Sequence, residues 1–161
     1  MEENKNEINV LDELNKGACM GRDAIHFILD KVTDEKLKKE LNNQYDKYKS
    51  ISDKICELYP EYSEKEPHET SKMNKAMTWY GIEMRTMMDD STSKLAELLL
   101  QGTNMGIIEG RRLLNHKNTD PEVHDIIQEY VDMQEDAVEK LKRFLWETPC
   151  CFFFSLNLTL Y

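Results

Sequence analysis

Pro60-Glu61-Tyr62-Ser63-Glu64-Lys65-Glu66-Pro67-His68-Glu69-Thr70-Ser71 is the stretch that decides the fold of this chain. It is polar, carries two prolines, and interrupts a sequence that otherwise reads as helix. Just before it, Leu37, Leu41, Gln44, Tyr48, Ile51, Ile55 and Leu58 recur at steps of three and four. That is one face of a helix, and Pro60 stops it because proline lacks the N–H and clashes with the preceding turn. Further upstream, Leu11, Leu14, Ala18, Gly21, Ile25, Ile28 and Val32 mark the stripe of a first helix. It ends at Thr33-Asp34, where a capping residue opens the second.

Downstream of the polar stretch, a further helix is expected from about Lys72 to Met88. A third stripe follows as Leu95, Leu99, Gly102, Gly106, Glu109 and Leu113, and a fourth from Val123 through Ile127, Tyr130, Gln134, Ala137 and Leu141 to Phe144. Asp120 with Pro121 at the first helical position, or Thr119 with Glu122 as a capping box, marks the start of the fourth.

The connections set the topology. Only a few residues around Val32 to Glu35 join the first pair, and a few around His116 to Asp120 join the last. Loops that short force antiparallel neighbours. The segment from Pro60 to Thr92 is long enough to return along a helix of ~25 residues, a length of ~37 Å. Short, long, short is the connectivity of a ferritin-like four-helix bundle. The expectation is therefore an all-α domain over residues 1–147: two antiparallel helical hairpins joined by a crossover, 60–92, that contains an extra helix. Residues 148–161 form an apolar C-terminal tail expected to lie outside it.

The two hairpins also resemble each other. Gly17-Ala18-Cys19-Met20-Gly21 matches Gly102-Thr103-Asn104-Met105-Gly106, and Ile28-Leu29 matches Leu113-Leu114. Thr33-Asp34 and Thr119-Asp120 open the following helices alike, which reads as a weak internal repeat about 85 residues apart. Beyond this, residues 8–146 resemble a bacterial ferritin-like family of four-helix-bundle proteins. The likeness rests on Leu14-Asn15-Lys16-Gly17 with Gly21, on Met77-Thr78-Trp79 in the crossover, on the helix around Gly106 and on the Pro121 helix start. The resemblance implies the bundle and carries no agreed activity, cofactor or site residue with it.

Composition narrows the function. The 161 residues are 32% charged and 40% hydrophobic with a net charge of −10, as suits a folded soluble domain. No basic cluster is present to grip a phosphate backbone, and the charge disfavours an anionic membrane surface. No apolar run approaches the ~20 residues of a membrane helix. Met1-Glu2-Glu3-Asn4-Lys5 lacks a signal-peptide pattern, so the expected location is the cytoplasm. Cys19, Cys56, Cys150 and Cys151 form no CxxC pair and read as buried thiols in a reducing compartment.

A di-iron centre in such a bundle needs a Glu from each of two helices and a Glu-x-x-His from each of the others. Here helix two presents Gln44 with Lys47, and helix four Gln134 with Ala137. Glu109 is expected on the inward stripe, but its counterpart in the repeat is Ala24. Asp23 and His26 are expected on a solvated face; His68, His116 and His124 are scattered. No metal ligand, cofactor-binding residue or catalytic residue is assigned.

Gln44, Glu109 and Gln134 are expected to form a buried polar network. The glycines at 17, 21, 102, 106 and 110 each cost roughly 1 kcal/mol in a helix. They read as close approach of helices one and three, or as room for Tyr45, Tyr48 and Tyr130, with a ligand or metal cavity as the other reading. Met73, Met77, Tyr80, Met84 and Met87 are expected to dock on the bundle, a partner-binding face being the alternative. The functional expectation is a non-catalytic bundle acting through association with itself or another protein. The competing one is a metal-dependent oxidoreductase or iron-handling protein using a site near Glu109.

Overall fold

Helical periodicity is realised in five α-helices in a computed structural model, which describes residues 2–67, 72–116 and 118–145. The side chains of 2–4, 72–74 and 116 are excepted, so Met73 and His116, together with His68, Cys150, Cys151 and the tail from 148, lie outside the described residues. The helices are α1 (Glu2–Leu29), α2 (Glu35–Leu58), α3 (Lys72–Thr86), α4 (Thr92–His116) and α5 (Pro121–Leu141). The chain is all-α.

Local chemistry fixes the boundaries. The Asp34 carboxylate accepts from the Leu37 amide at 2.7 Å and so caps α2, satisfying one of the amides that a helix start leaves open. α1 stops at Leu29, earlier than its stripe suggested, yet Val32 remains buried in the connection. Pro60 converts the end of α2 into a single 3-10 turn, Tyr59–Glu61. At α5, Pro121 takes the first helical position, but the Asp120 carboxylate makes no cap. It accepts instead from the Tyr62 hydroxyl at 2.9 Å. Helix α3 ends at Thr86, leaving Met87 and Met88 in the turn before α4.

Pairwise bonds give the directions. Asn15 with Ser52 and Asp12 with Tyr59 make α1 and α2 antiparallel. Lys47 with Asp136 and Lys54 with Glu129 do the same for α2 and α5. Arg111 with Glu135 and Ser93 with Leu145 do it for α4 and α5. It follows that α2 and α4 point the same way, so residues 59–91 climb the length of the bundle between them. Helix α3 makes part of that climb beside α1 and parallel to it, with Lys75 on Asp23 and Glu83 on Lys31.

The core lies where the four long helices converge. Leu11, Leu14, Ile25 and Ile28 of α1 meet Leu37, Leu41, Ile51 and Ile55 of α2, with Leu95, Ile127 and Leu141 from the second hairpin, all fully buried. On α4 two positions of the expected stripe are each displaced by one residue. Thr103 and Gly110 are buried, whereas Gly102 and Glu109 are exposed. Steps of four, four, three, four and three from Leu95 lead through Leu99, Thr103, Gly106 and Gly110 to Leu113, which keeps the 3.6-residue period. The buried Thr103 hydroxyl donates to the Leu99 carbonyl at 2.8 Å, one turn back, so its polar atom is not stranded.

Two further expectations are corrected. Asp23 is 9% exposed because α3 covers it, and Lys75 stands 3.6 Å from its Oδ2. The methionine stripe of α3 does not dock on the bundle: Met77 is 66% and Met87 74% exposed, with Tyr80 and Met84 also outward. Helix α3 is held instead by Ile82 and Thr86, both buried. Cys19 is buried as expected, but Cys56 is exposed.

Candidate functional site

α1 and α4 approach each other much less closely than either approaches its hairpin partner. Between them runs an open groove of about 910 Å³, bounded at one end by the Gly81–Ile82 turn of α3. Glycines make this possible. Gly17 and Gly21 on α1 face Gly102, Gly106 and Gly110 on α4 along its walls.

Each wall glycine except one admits a specific side chain. A β-carbon at 17 would lie 2.6 Å from the Tyr130 hydroxyl, and one at 21 would run into the Tyr48 ring. At 106 it would meet the Gln134 carboxamide, and at 110 a methyl of Val131. Gly102 differs: nothing stands within 4 Å of its β-carbon position. The glycines thus make room for Tyr48 and Tyr130, as expected, and at 102 leave the groove open. Tyr45 is only partly buried and takes no part in that filling.

The floor is a neutral hydrogen-bonding chain. The Tyr48 hydroxyl donates to Gln134 Oε1 at 3.3 Å, and Gln134 Nε2 reaches the Tyr130 carbonyl at 3.4 Å. The two tyrosine rings meet edge to face at 6.3 Å. Burial pushes the Tyr130 phenol up to about 12, and burial followed by the neighbouring Tyr130 pushes Tyr48 higher still. Both therefore stay protonated at neutral pH, and they act as hydrogen-bonding groups and not as bases. Of the expected network, Gln44 and Gln134 are buried. Gln44 turns its amide to Glu40 at 3.0 Å.

Glu109 is not on the floor. Its side chain is 62% exposed at the mouth of the groove, where both carboxylate oxygens accept from Arg112. Among the described residues no three His, Cys, Asp or Glu side chains gather into a metal-holding group. His26 and His124 are exposed and do not line the groove, His124 lying beside Asp125. None of the described residues forms a nucleophile–base pair in the groove.

A second feature adjoins it. Met77, Tyr80, Met84, Met87 and Met88 stand outward on and just beyond α3, Met88 being 94% exposed. Met20 and Met105 continue this apolar surface on the two groove walls. Sequence reading missed Thr103 as a floor residue; the glycines at spacings of four on both helices had offered a cavity as one of their two readings, and they line the groove. No helix among the described residues is long and apolar enough to cross a membrane. Comparison with protein-family models, with curated proteins and with solved structures finds no match to the chain.

Proposed function

We propose that this is a cytoplasmic, non-catalytic bundle of the bacterial ferritin-like kind that works by association, in the first place with a second copy of itself. The observation that carries the reading is the outward methionine and tyrosine face of α3. Contiguous exposed apolar side chains mark interaction surfaces, and methionines adapt readily to a partner's shape. A twofold pairing of α3 with its copy buries the same patch from both sides, the commonest way for identical chains to associate. Ferritin-like connectivity is supported by the parallel course of α2 and α4 and by the crossover that this requires.

Light scattering of the full chain across a concentration series tests it. The expected mass is that of a dimer, falling to a monomer in the double variant Tyr80→Ser, Met84→Glu. A chain ending at Glu147 is expected to keep the dimer. A monomeric wild-type chain, or a variant with unchanged mass, would overturn the reading.

A further inference from the structure

We propose that two copies of this chain join through their α1–α4 flanks, the α3 of each lying in the uncovered half of the other's groove. This rests on the self-association proposed above and fixes how the copies meet. Among the described residues, every large apolar side chain that is exposed stands on α1, α3, α4 or the turn after α3: Met20 on α1, Met105 and Ile108 on α4, and the rest on α3 and its turn. The opposite flank, α2 with α5, is crossed instead by ion pairs, Lys47 with Asp136 and Lys54 with Glu129. One side of the bundle suits water and the other suits a partner.

The shape of that flank selects the occupant. Helix α3 lies along the part of α1 that runs from Asp23 to Lys31, with Thr78, Ile82 and Arg85 closing that end of the groove. Its outward residues Met77, Tyr80 and Met84, each more than half exposed, make it a ridge. The other half of the groove runs from Glu13 to Met20 on α1 and from Met105 to Leu113 on α4. There Gly17 and Gly106 are only partly buried, although they face each other across two helices. Among the described residues that half is a hollow. At 1.5 Å per residue the ridge from Met77 to Met84 is about 10 Å long, and the α4 wall of the hollow about 12 Å.

A ridge and a hollow that follow one another along the same face are self-complementary under one twofold axis, the one lying between the two faces and across the bundle. It turns the second copy end over end, so each ridge meets the other's hollow and both surfaces are covered at once. An axis along the bundle would set ridge on ridge and leave both hollows empty. A small molecule in the groove would leave Met84, Met87 and Met88 in water. The stripe Met77, Tyr80, Met84 has the i, i+3, i+7 spacing by which a helix anchors in a groove, and isologous pairing is the commonest among identical chains. Charge does not oppose it. The C-terminal end of α3 brings Arg85 and then Asp89 and Asp90, while the rim of the hollow carries Glu13 and Glu109 beside Lys16 and Arg112. Both signs are present on each side.

Disulfide trapping in the full-length chain reads the arrangement. Cys56, Cys150 and Cys151 are replaced by serine in every sample, and the buried Cys19 is kept. The crosswise axis carries residue 84 of one copy to the Glu13 end of the other's hollow and holds the two residues 84 apart. Equimolar Glu13→Cys and Met84→Cys chains, mixed and oxidised, are expected to give a covalent dimer joined 13–84, identified by mass spectrometry of its peptides. Lys16→Cys, on the same rim, offers a second position for the link. Met84→Cys alone is expected to give no covalent dimer, with circular dichroism showing all the variants folded. A monomeric wild-type chain would overturn this arrangement and the self-association together. A dimer that links 84–84, or that gives neither the 13–84 nor the 16–84 link, would overturn the crosswise arrangement alone.

Discussion

The Tyr130 hydroxyl occupies the space that a side chain at residue 17 would fill, 2.6 Å from where the β-carbon would lie. The same exclusion holds at Gly21, but there it involves the body of the Tyr48 ring. A ring that is buried on all sides cannot swing away, whereas a hydroxyl tip has some freedom. Replacing a helical glycine by alanine gains about 1 kcal/mol of propensity, and overpacking a tight core costs about 1–3 kcal/mol. Gly21→Ala is therefore expected to destabilise by about 1–2 kcal/mol and Gly17→Ala by less. Gly102→Ala, facing open space, is expected to stabilise by up to about 1 kcal/mol. Urea midpoints of the three variants check the order, which fails if Gly102→Ala is the least stable.

The tyrosines give an alkaline prediction. Burial raises the phenols of Tyr48, Tyr59, Tyr62 and Tyr130, with the Asp12 and Asp120 carboxylates adding to it at Tyr59 and Tyr62. Tyr59 is pushed up to about 12, as is Tyr130. A folded-state pKa above the unfolded value of about 10 stabilises the fold fully below pH ~10. That contribution is lost as pH rises through the folded value. Phenolate absorbance of these four is expected to appear together with the loss of helix, at a pH above that of exposed tyrosine. Smooth titration of all seven tyrosines near the ordinary value, with helix intact, would contradict it.

Much of the architecture was legible because helix periodicity and the connection lengths are local properties. The stripe of α2 came out in register from Leu37 to Leu58, and Asp34 caps where a cap was expected. What was not legible depended on which element lies against which. Asp23 reads as solvated until α3 is known to cover it, and the α3 stripe reads as core until Ile82 is seen to take the docking position. On α4, glycines and a threonine dilute the apolar signal, so a stripe through Gly102 and Glu109 looked as good as one through Thr103 and Gly110. The groove is a product of that ambiguity: its walls lack the side chains by which a stripe is recognised.

Asp136 links charges of two helices, α2 and α5, and predicts a mild acid sensitivity. Its carboxylate accepts from Lys140 at 2.8 Å and from Lys47 at 3.0 Å. These bonds hold it below the ordinary carboxylate value and raise Lys140 in turn. A depressed carboxylate stabilises the fold above its unfolded pKa of about 3.9, and the effect is lost as pH falls through the lower folded value. Because Asp136 is about half exposed, solvent screening limits the expected loss in Asp136→Asn to under about 1 kcal/mol. The difference from wild type in urea midpoint is expected at pH 7, shrinking in high salt and vanishing in strong acid. A difference that grows on acidification would refute it.

Asp23 and Lys75 contribute to the attachment of α3 to α1, beside the Lys31–Glu83 pair and the buried Ile82 and Thr86, and this gives a local prediction where Asp136 gave a global one. Asp23 Oδ2 is buried, receives no hydrogen bond, and has the Lys75 ammonium at 3.6 Å. Lys75→Met removes one of the two cations beside Asp23, leaving Arg22 Nε at 4.0 Å from Oδ1, and the covered Oδ2 loses its partner, which is costly because breaking a pair leaves charge under-compensated. The relief available is for α3 to lift and admit water. Amide exchange is therefore expected to speed up about 10-fold over residues 75–86 in Lys75→Met while the α2 and α5 amides keep their protection. The second replacement, Asp23→Asn added to Lys75→Met, removes the stranded charge and is expected to restore most of the protection in α3. Equal loosening of all five helices, or no rescue by the double variant, would show that the pair does not hold α3 in this way.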